Sequence, residues 1–198
     1  EITSTDEVII TQYDPEPDYI GKRLNEIAEL RGEHPSVTLM GLISETNYDD
    51  GSESIVAKSM TETDIIELLE WRYTNICTDG GSDGGHPRGY GTYPRILGQY
   101  VREDRSMDLE SAVHKMTGLP SLNMGMDDRG TLEPGMAADV VVFDPLRIID
   151  RATFEDPKAL SEGVDRVIVN GIMIYAGDRV NDDRPGRFLP GPGYIANR

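Results

Sequence analysis

Asp79 ends a short run, Tyr73 to Thr78, and opens a loop too rich in glycine to continue a strand. His86, Arg88, Tyr90, Tyr93 and Arg95 follow at once. No other segment brings acid, imidazole, guanidinium and phenol so close together. A carboxylate and an imidazole can carry protons in a reaction. A guanidinium fork matches the geometry of a carboxylate or phosphate. On α/β scaffolds such groups sit at the C-terminal ends of strands, on loops held still by rigid elements. Read by itself, Asp79 is more readily a turn aspartate at a strand end than a catalytic one. Asp83 reads as a turn former among glycines, with substitution for Asp79 as the lesser alternative. Tyr90 and Tyr93 read as packing aromatics rather than substrate contacts, and Arg95 reads as structural. The glycines alone would suit a phosphate cradle, but no P-loop lysine or dinucleotide pattern accompanies them.

The elements that must position these residues alternate at first. Glu7 to Gln12 is β-branched and reads as a buried strand. Ile20, Leu24, Ile27 and Ala28 repeat at helical spacing, with Gly32 as a stop. Ser36 can cap a second helix with Leu39, Met40 and Ile43 on one face. Tyr48 to Glu53 is a polar turn, and Ser54 to Lys58 a second strand. Thr61 caps the next helix, with Asp64 in capping-box spacing. Its apolar face is Ile65, Ile66, Leu68 and Leu69. Asn75 to Asp79 reads as a third strand, with Asn75, Cys77 and Asp79 on one face. Pro94 suits the first turn of a helix that buries Ile96, Leu97, Tyr100 and Val101. Asp108 caps another, with Leu109, Ala112, Val113 and Met116 apolar and Gly118 closing it. Strand alternating with helix predicts βα units and a parallel sheet. The remainder changes character. Ala138 to Phe143 is a strand between turn residues, with Asp139 and Asp144 as turn and edge charges. Asn170-Gly171 joins two further strands as a hairpin, and Gly177-Asp178 makes another turn. Asp182 to Arg198 is rich in proline and glycine and reads as an extended tail.

Bulk composition narrows the function classes. The 198 residues carry a net charge of −17, which repels phosphate backbones and anionic lipid heads. Nucleic acid and membrane partners are therefore not expected. No apolar run approaches the ~18 residues that span a bilayer, and no signal peptide opens the chain. The single cysteine, Cys77, cannot form an internal disulfide and fits a reducing, cytoplasmic setting. A buried packing thiol is the simplest role for it. The start, Glu1-Ile2-Thr3, reads as the interior of something longer.

Several strings together carry a family likeness. They are Thr78-Asp79-Gly80, His86-Pro87-Arg88, Tyr90-Gly91-Thr92-Tyr93-Pro94-Arg95-Ile96-Leu97-Gly98 and Ala112-Val113-His114-Lys115-Met116-Thr117-Gly118-Leu119-Pro120. Asp128-Arg129-Gly130-Thr131-Leu132-Glu133-Pro134-Gly135-Met136-Ala137-Ala138-Asp139 and Asp150-Arg151-Ala152-Thr153-Phe154-Glu155-Asp156-Pro157 continue them. This pattern resembles the D-aminoacylase (N-acyl-D-amino-acid deacylase) branch of the amidohydrolase superfamily. The resemblance implies an α/β fold, the C-terminal part of a metal-dependent (β/α)-barrel followed by a small antiparallel β-sandwich part. The implied divisions are βα units over 1–125, the sandwich part over 126–181 and an extended tail over 182–198. The implied reaction is hydrolysis of the N-acyl amide of a D-amino acid.

Carried over residue by residue, the resemblance implies that Asp79 is the catalytic proton acceptor and a contact of the metal, expected to be zinc. It implies that Arg88 grips the substrate α-carboxylate. His86 and Tyr90 join it as candidate substrate-side residues, His86 as a shaper of the loop. The loop is two residues shorter than the family's common form. The family's other metal ligands have no counterpart here. The histidines are His34, His86 and His114, and none pairs at ligand spacing. His34 and His114 read as structural or solvated. The isolated chain is expected to be inactive and to pair with a missing N-terminal part, a second chain or itself. The alternatives are a hydantoinase- or dihydroorotase-like cyclic-amide hydrolase, and a non-catalytic subunit that pairs with another chain.

Overall fold

The structure is a computed structural model that describes residues 4–46, 53–81, 85–191 and 193. The chain divides into two compact units, residues 1–65 and 66–198. Asp83 and most of the expected polar turn after Tyr48 lie outside the described residues.

The first unit pairs β1 (Val8–Tyr13) with β2 (Glu53–Ala57) and inserts α1 (Leu24–Arg31) and α2 (Pro35–Glu45) between them. The pairing is antiparallel, from Val8 opposite Ala57 to Tyr13 opposite Glu53. The parallel sheet expected from strand–helix alternation is thus not formed by these strands. β-branched sequence specifies extended backbone and a buried face, but not the direction of the partner. Val8, Ile10, Tyr13, Leu24, Ile27 and Leu42 form the core, flanked by Tyr19 and Leu39. Gly32 ends α1 in the left-handed conformation (φ 67°), as its position predicted. The cap of α2 is His34 rather than Ser36. Pro35 fits the first helical position, so the helix starts two residues early and the His34 ring accepts the Ser36 N–H (3.3 Å). Only Thr38 and Leu42 of this helix are buried; Met40 and Ile43 are exposed. Tyr13, Arg31 and Glu45 tie the strand to both helices. The Tyr13 hydroxyl donates to Glu45 (2.7 Å), and the Arg31 fork donates to both Glu45 oxygens (2.8 Å each). The division between the units falls within α3 (Glu62–Glu70). Its capping box is as read: Thr61 N–H donates to Asp64 (2.8 Å) and Asp64 N–H returns to the Thr61 hydroxyl (3.3 Å).

The second unit contains α4 (Arg88–Arg95), a π-helical continuation (Ile96–Glu103), α5 (Leu109–Met116) and α6 (Gly118–Asn123). A sheet of β3 (Val140–Phe143), β4 (Val164–Val169), β5 (Ile172–Ala176) and β6 (Arg179–Val180) follows. All its neighbours are antiparallel and adjacent in sequence. The Asn170-Gly171 turn joins β4 and β5 with φ 47° and 81°, the two positive angles that a tight hairpin of this kind needs. Asp108 caps α5 by accepting the Ser111 N–H (2.7 Å). Ile96, Leu97 and Tyr100 are buried as expected, and Val101 is half-buried.

Pro94 lies inside α4 instead of opening the helix after it. Proline has no N–H for the carbonyl four residues back, which is that of Tyr90. That carbonyl accepts from the Ser161 hydroxyl instead (3.3 Å). The helix therefore begins at Arg88, and the Gly89-Tyr90-Gly91 stretch, expected as loop, is helical.

Candidate active site

Residues 74–81 carry no regular secondary structure and pair with no strand among the described residues, so the expected third strand over Asn75 to Asp79 does not form. The segment is anchored from the helices behind it. Ile76 N–H donates to the Lys115 carbonyl (3.0 Å), and Asn123 donates to Asn75 (2.7 Å). Lys115 is buried and donates its ammonium to the carbonyls of Trp71 and Thr74. Side-chain alternation holds: Ile76 is buried, while Asn75, Cys77 and Asp79 share the open side. Cys77 is accordingly exposed, not a packing thiol.

Asp79 follows at φ 46°, a left-handed conformation that aspartate tolerates better than most residues. The chain reverses there. The Thr78 hydroxyl accepts the Gly80 N–H (3.2 Å). Gly80 then passes so close to the start of α4 that a Cβ on it would lie 2.3 Å from the Gly89 Cα. Only glycine permits this approach, and it brings the Asp79 carboxylate to 3.0 Å from the Arg88 guanidinium. Both side chains remain open to solvent, 80% exposed for Asp79 and 46% for Arg88.

His86 sits at the root of Arg88. Its Nδ1 accepts the Arg88 N–H (3.0 Å), and its carbonyl accepts the Gly89 N–H (3.4 Å). Phe154 meets the ring edge-on, with ring centres 5.3 Å apart. Burial, then the neighbouring Arg88 charge, lowers the His86 pKa below the ordinary value, against an opposing pull from Asp79. Tyr90 is half-buried in α4, and its carbonyl is the one that Ser161 satisfies.

The segment after β3 braces the same helix. Arg95 donates twice to one oxygen of the nearly buried Asp150 (2.9 and 2.7 Å), so its role is structural. Gly91 and Gly98 let Asp150 and Ile148–Ile149 approach; a Cβ on Gly98 would lie 2.6 Å from the Ile148 carbonyl. Phe154, Asp150 and Ser161 were not legible as contributors, because they lie more than 50 residues from the partners they touch. The only signal was that Asp150 and Phe154 stand inside one of the family-like strings.

The remaining candidates have other partners. His34 caps α2, and His114 is exposed in α5. Asp139 pairs with Arg129 and accepts the Asn170 N–H (2.7 Å), while Asp144 accepts the Leu146 N–H (2.9 Å). Among the described residues no three His, Cys, Asp or Glu side chains converge as metal ligands. Asp79 faces a guanidinium, so the residues present do not by themselves fit a metal ion.

The chain as a whole has known relatives. The amidohydrolase family model matches residues 22–175, and the chain belongs to the amidohydrolase family. It is 37% identical over 187 residues to a D-aminoacylase of Alcaligenes xylosoxydans xylosoxydans, covering 91% of this chain and 36% of that protein. It is 35% identical over 193 residues to an N-acyl-D-glutamate deacylase of the same organism, covering 96% and 38%. Among solved structures, it resembles an N-acyl-D-glutamate deacylase from Bordetella bronchiseptica complexed with zinc and a phosphonate that mimics the tetrahedral intermediate. There the identity is 35%, the TM-score 0.82, and the coverage 94% of this chain and 38% of that one. The chain thus spans little more than a third of the length of these relatives.

Proposed function

We propose that this chain is the C-terminal part of an enzyme that hydrolyses the N-acyl amide of N-acyl-D-amino acids. The observation that carries the reading is the 3.0 Å approach of Asp79 to Arg88, two residues that the resemblance assigns to one site and that the fold brings together across a glycine turn. Arg88 takes the α-carboxylate, for which its fork of donors is suited. That carboxylate replaces Asp79 as partner of the guanidinium, and Asp79 is then free to act. Asp79 accepts a proton from the attacking water as the water oxygen bonds to the acyl carbon. It returns that proton to the nitrogen as the C–N bond breaks, leaving a carboxylic acid and a free D-amino acid. The deacylase relatives support this substrate class.

Zinc is the expected metal, since the Bordetella structure is a zinc complex. Most of its ligands would lie outside this chain, in the N-terminal part of the same polypeptide or in a second chain, with Asp79 as the contact from this one. In the same reading, residues 1–125 complete a (β/α)-barrel, 126–181 contribute to a β-sandwich and 182–198 form a tail.

The test is hydrolysis of N-acetyl-D-methionine in the presence of zinc, by the whole protein and by this chain alone. The whole protein turns over the D-enantiomer and the chain alone does not. Turnover by the chain alone would overturn the division of labour. Hydrolysis of a hydantoin, with none of the acyl-D-amino acid, would overturn the substrate class.

A further inference from the structure

We infer that His86 is a positioning residue for Arg88, acting through the first turn of α4 and clamped there by Phe154. The inference rests on the reading of Arg88 as the group that takes the substrate carboxylate.

The first N–H groups of a helix have no partner within the helix. Here the residue preceding α4 is Pro87, whose side chain accepts nothing. His86 supplies what is missing, its Nδ1 to the Arg88 N–H (3.0 Å) and its carbonyl to the Gly89 N–H (3.4 Å). An Nδ1 that accepts belongs to a neutral imidazole with its proton on Nε2. The lowered proton affinity of the ring keeps that form.

The turn needs an external reference. On one side lie Gly80 and Gly81, which bring no side chain to the turn. On the other side the helix is braced by the segment from Asp150 to Ser161, through Arg95 and the Tyr90 carbonyl. Phe154, in the same segment, extends that brace to His86, 78° between ring planes. The ring thus transmits the position of a braced segment to the backbone of Arg88. A catalytic fork held loosely loses effect even when its chemistry is intact.

The experiment compares His86→Phe, His86→Asn and Phe154→Ala in the whole protein, with N-acetyl-D-methionine and with its carboxamide. Phenylalanine keeps an aromatic ring for Phe154 but accepts no hydrogen bond. Asparagine restores an acceptor for the N–H two residues on. We expect His86→Phe to raise KM for the carboxylate substrate about fivefold, the effect of one lost hydrogen bond, with kcat little changed. The carboxamide is unaffected, His86→Asn recovers most of the loss, and Phe154→Ala shows a smaller loss in the same direction. Equal losses on both substrates, or no rescue by asparagine, would overturn the inference. Nitrogen-15 NMR of His86 in this 198-residue chain provides a readout free of activity. A proton on Nε2 is expected, and a proton on Nδ1 would overturn the cap even if the variants fail to fold. If the whole wild-type protein hydrolyses no N-acyl-D-amino acid, the role of Arg88 falls with the proposed function, and the tautomer then reports only on the cap.

Discussion

Replacing Arg88 with alanine separates a substrate grip from an ordinary surface ion pair, because the two roles predict different magnitudes. The pair with Asp79 is 3.0 Å long, but its side chains are 46% and 80% exposed. Exposed pairs of this kind contribute about 0–1 kcal/mol. A loss of that size moves Tm of a chain this long by no more than about 4 °C. A charge-assisted hydrogen bond to a bound carboxylate is worth about 1.5–3 kcal/mol, or roughly 10- to 150-fold in kcat/KM. The assay pairs thermal unfolding of this chain with steady-state kinetics of the whole protein on N-acetyl-D-methionine and its carboxamide. The expected result is an almost unchanged Tm, a large loss of kcat/KM on the acid and little loss on the amide, which has no carboxylate to grip. A large fall in Tm with unchanged kinetics, or equal losses on acid and amide, would refute the reasoning.

Asp79→Asn keeps the size of the side chain but removes the proton acceptor, so kcat of the whole protein should fall by about 10²- to 10⁴-fold with KM less affected; stopped assays with high enzyme concentrations read this directly. Gly80→Ala would set a Cβ 2.3 Å from the Gly89 Cα and 2.7 Å from its nitrogen, so the turn must open and kcat/KM should drop by about tenfold or more. Gly81→Ala meets nothing within 4 Å and serves as the neutral control. In the first unit, Glu45 is held at about 2 from an ordinary 4.5, first by its hydrogen bonds from Arg31 and then by that from Tyr13. A depressed carboxyl stabilises the fold above its unfolded value and loses that contribution as pH falls from 4.5 toward about 2. Glu45 is 43% exposed, so solvent screening reduces the effect to about 1 kcal/mol. Urea unfolding should show Glu45→Gln weaker than wild type near neutral pH, with the gap narrowing at about pH 3.

Local signals in the sequence were read well where one residue's chemistry decides the outcome. The Thr61–Asp64 box, the Asp108 cap, the Gly32 stop and the Asn170-Gly171 hairpin all depend on groups within a few residues of each other. The alternation that turns Asp79 outward and Ile76 inward was also legible, since it needs no paired strand. What failed depends on distant partners. The direction of β2 against β1 is set by the αα insertion between them, not by the strands' own composition. The exposure of Cys77 follows from the lack of a paired strand beside it among the described residues. Pro94 was read as a helix start because the Ser161 hydroxyl that satisfies Tyr90 lies 71 residues away. The pairing of Asp79 with Arg88 was expected only as membership in one site. That they meet through Gly80 and Gly89 depends on a close approach of backbone that no local signal specifies.

The two halves of the site take their positions from different parts of the second unit. Asp79 is referenced to α5 and α6, through Lys115 and Asn123. Arg88 is referenced to the segment from Asp150 to Ser161, through Arg95, the Tyr90 carbonyl and the ring of Phe154. Between them lie the glycine turn and one exposed ion pair. In the proposed reaction such a pair is weak enough to be exchanged for the substrate carboxylate, and glycine packing is tight enough to keep the two groups within reach after the exchange. A stronger, buried pair would hold Asp79 on Arg88 and leave neither group for substrate, since separating buried charges costs several kcal/mol. An ion pair that serves stability is instead better buried and bidentate, as Arg31 and Glu45 are in part.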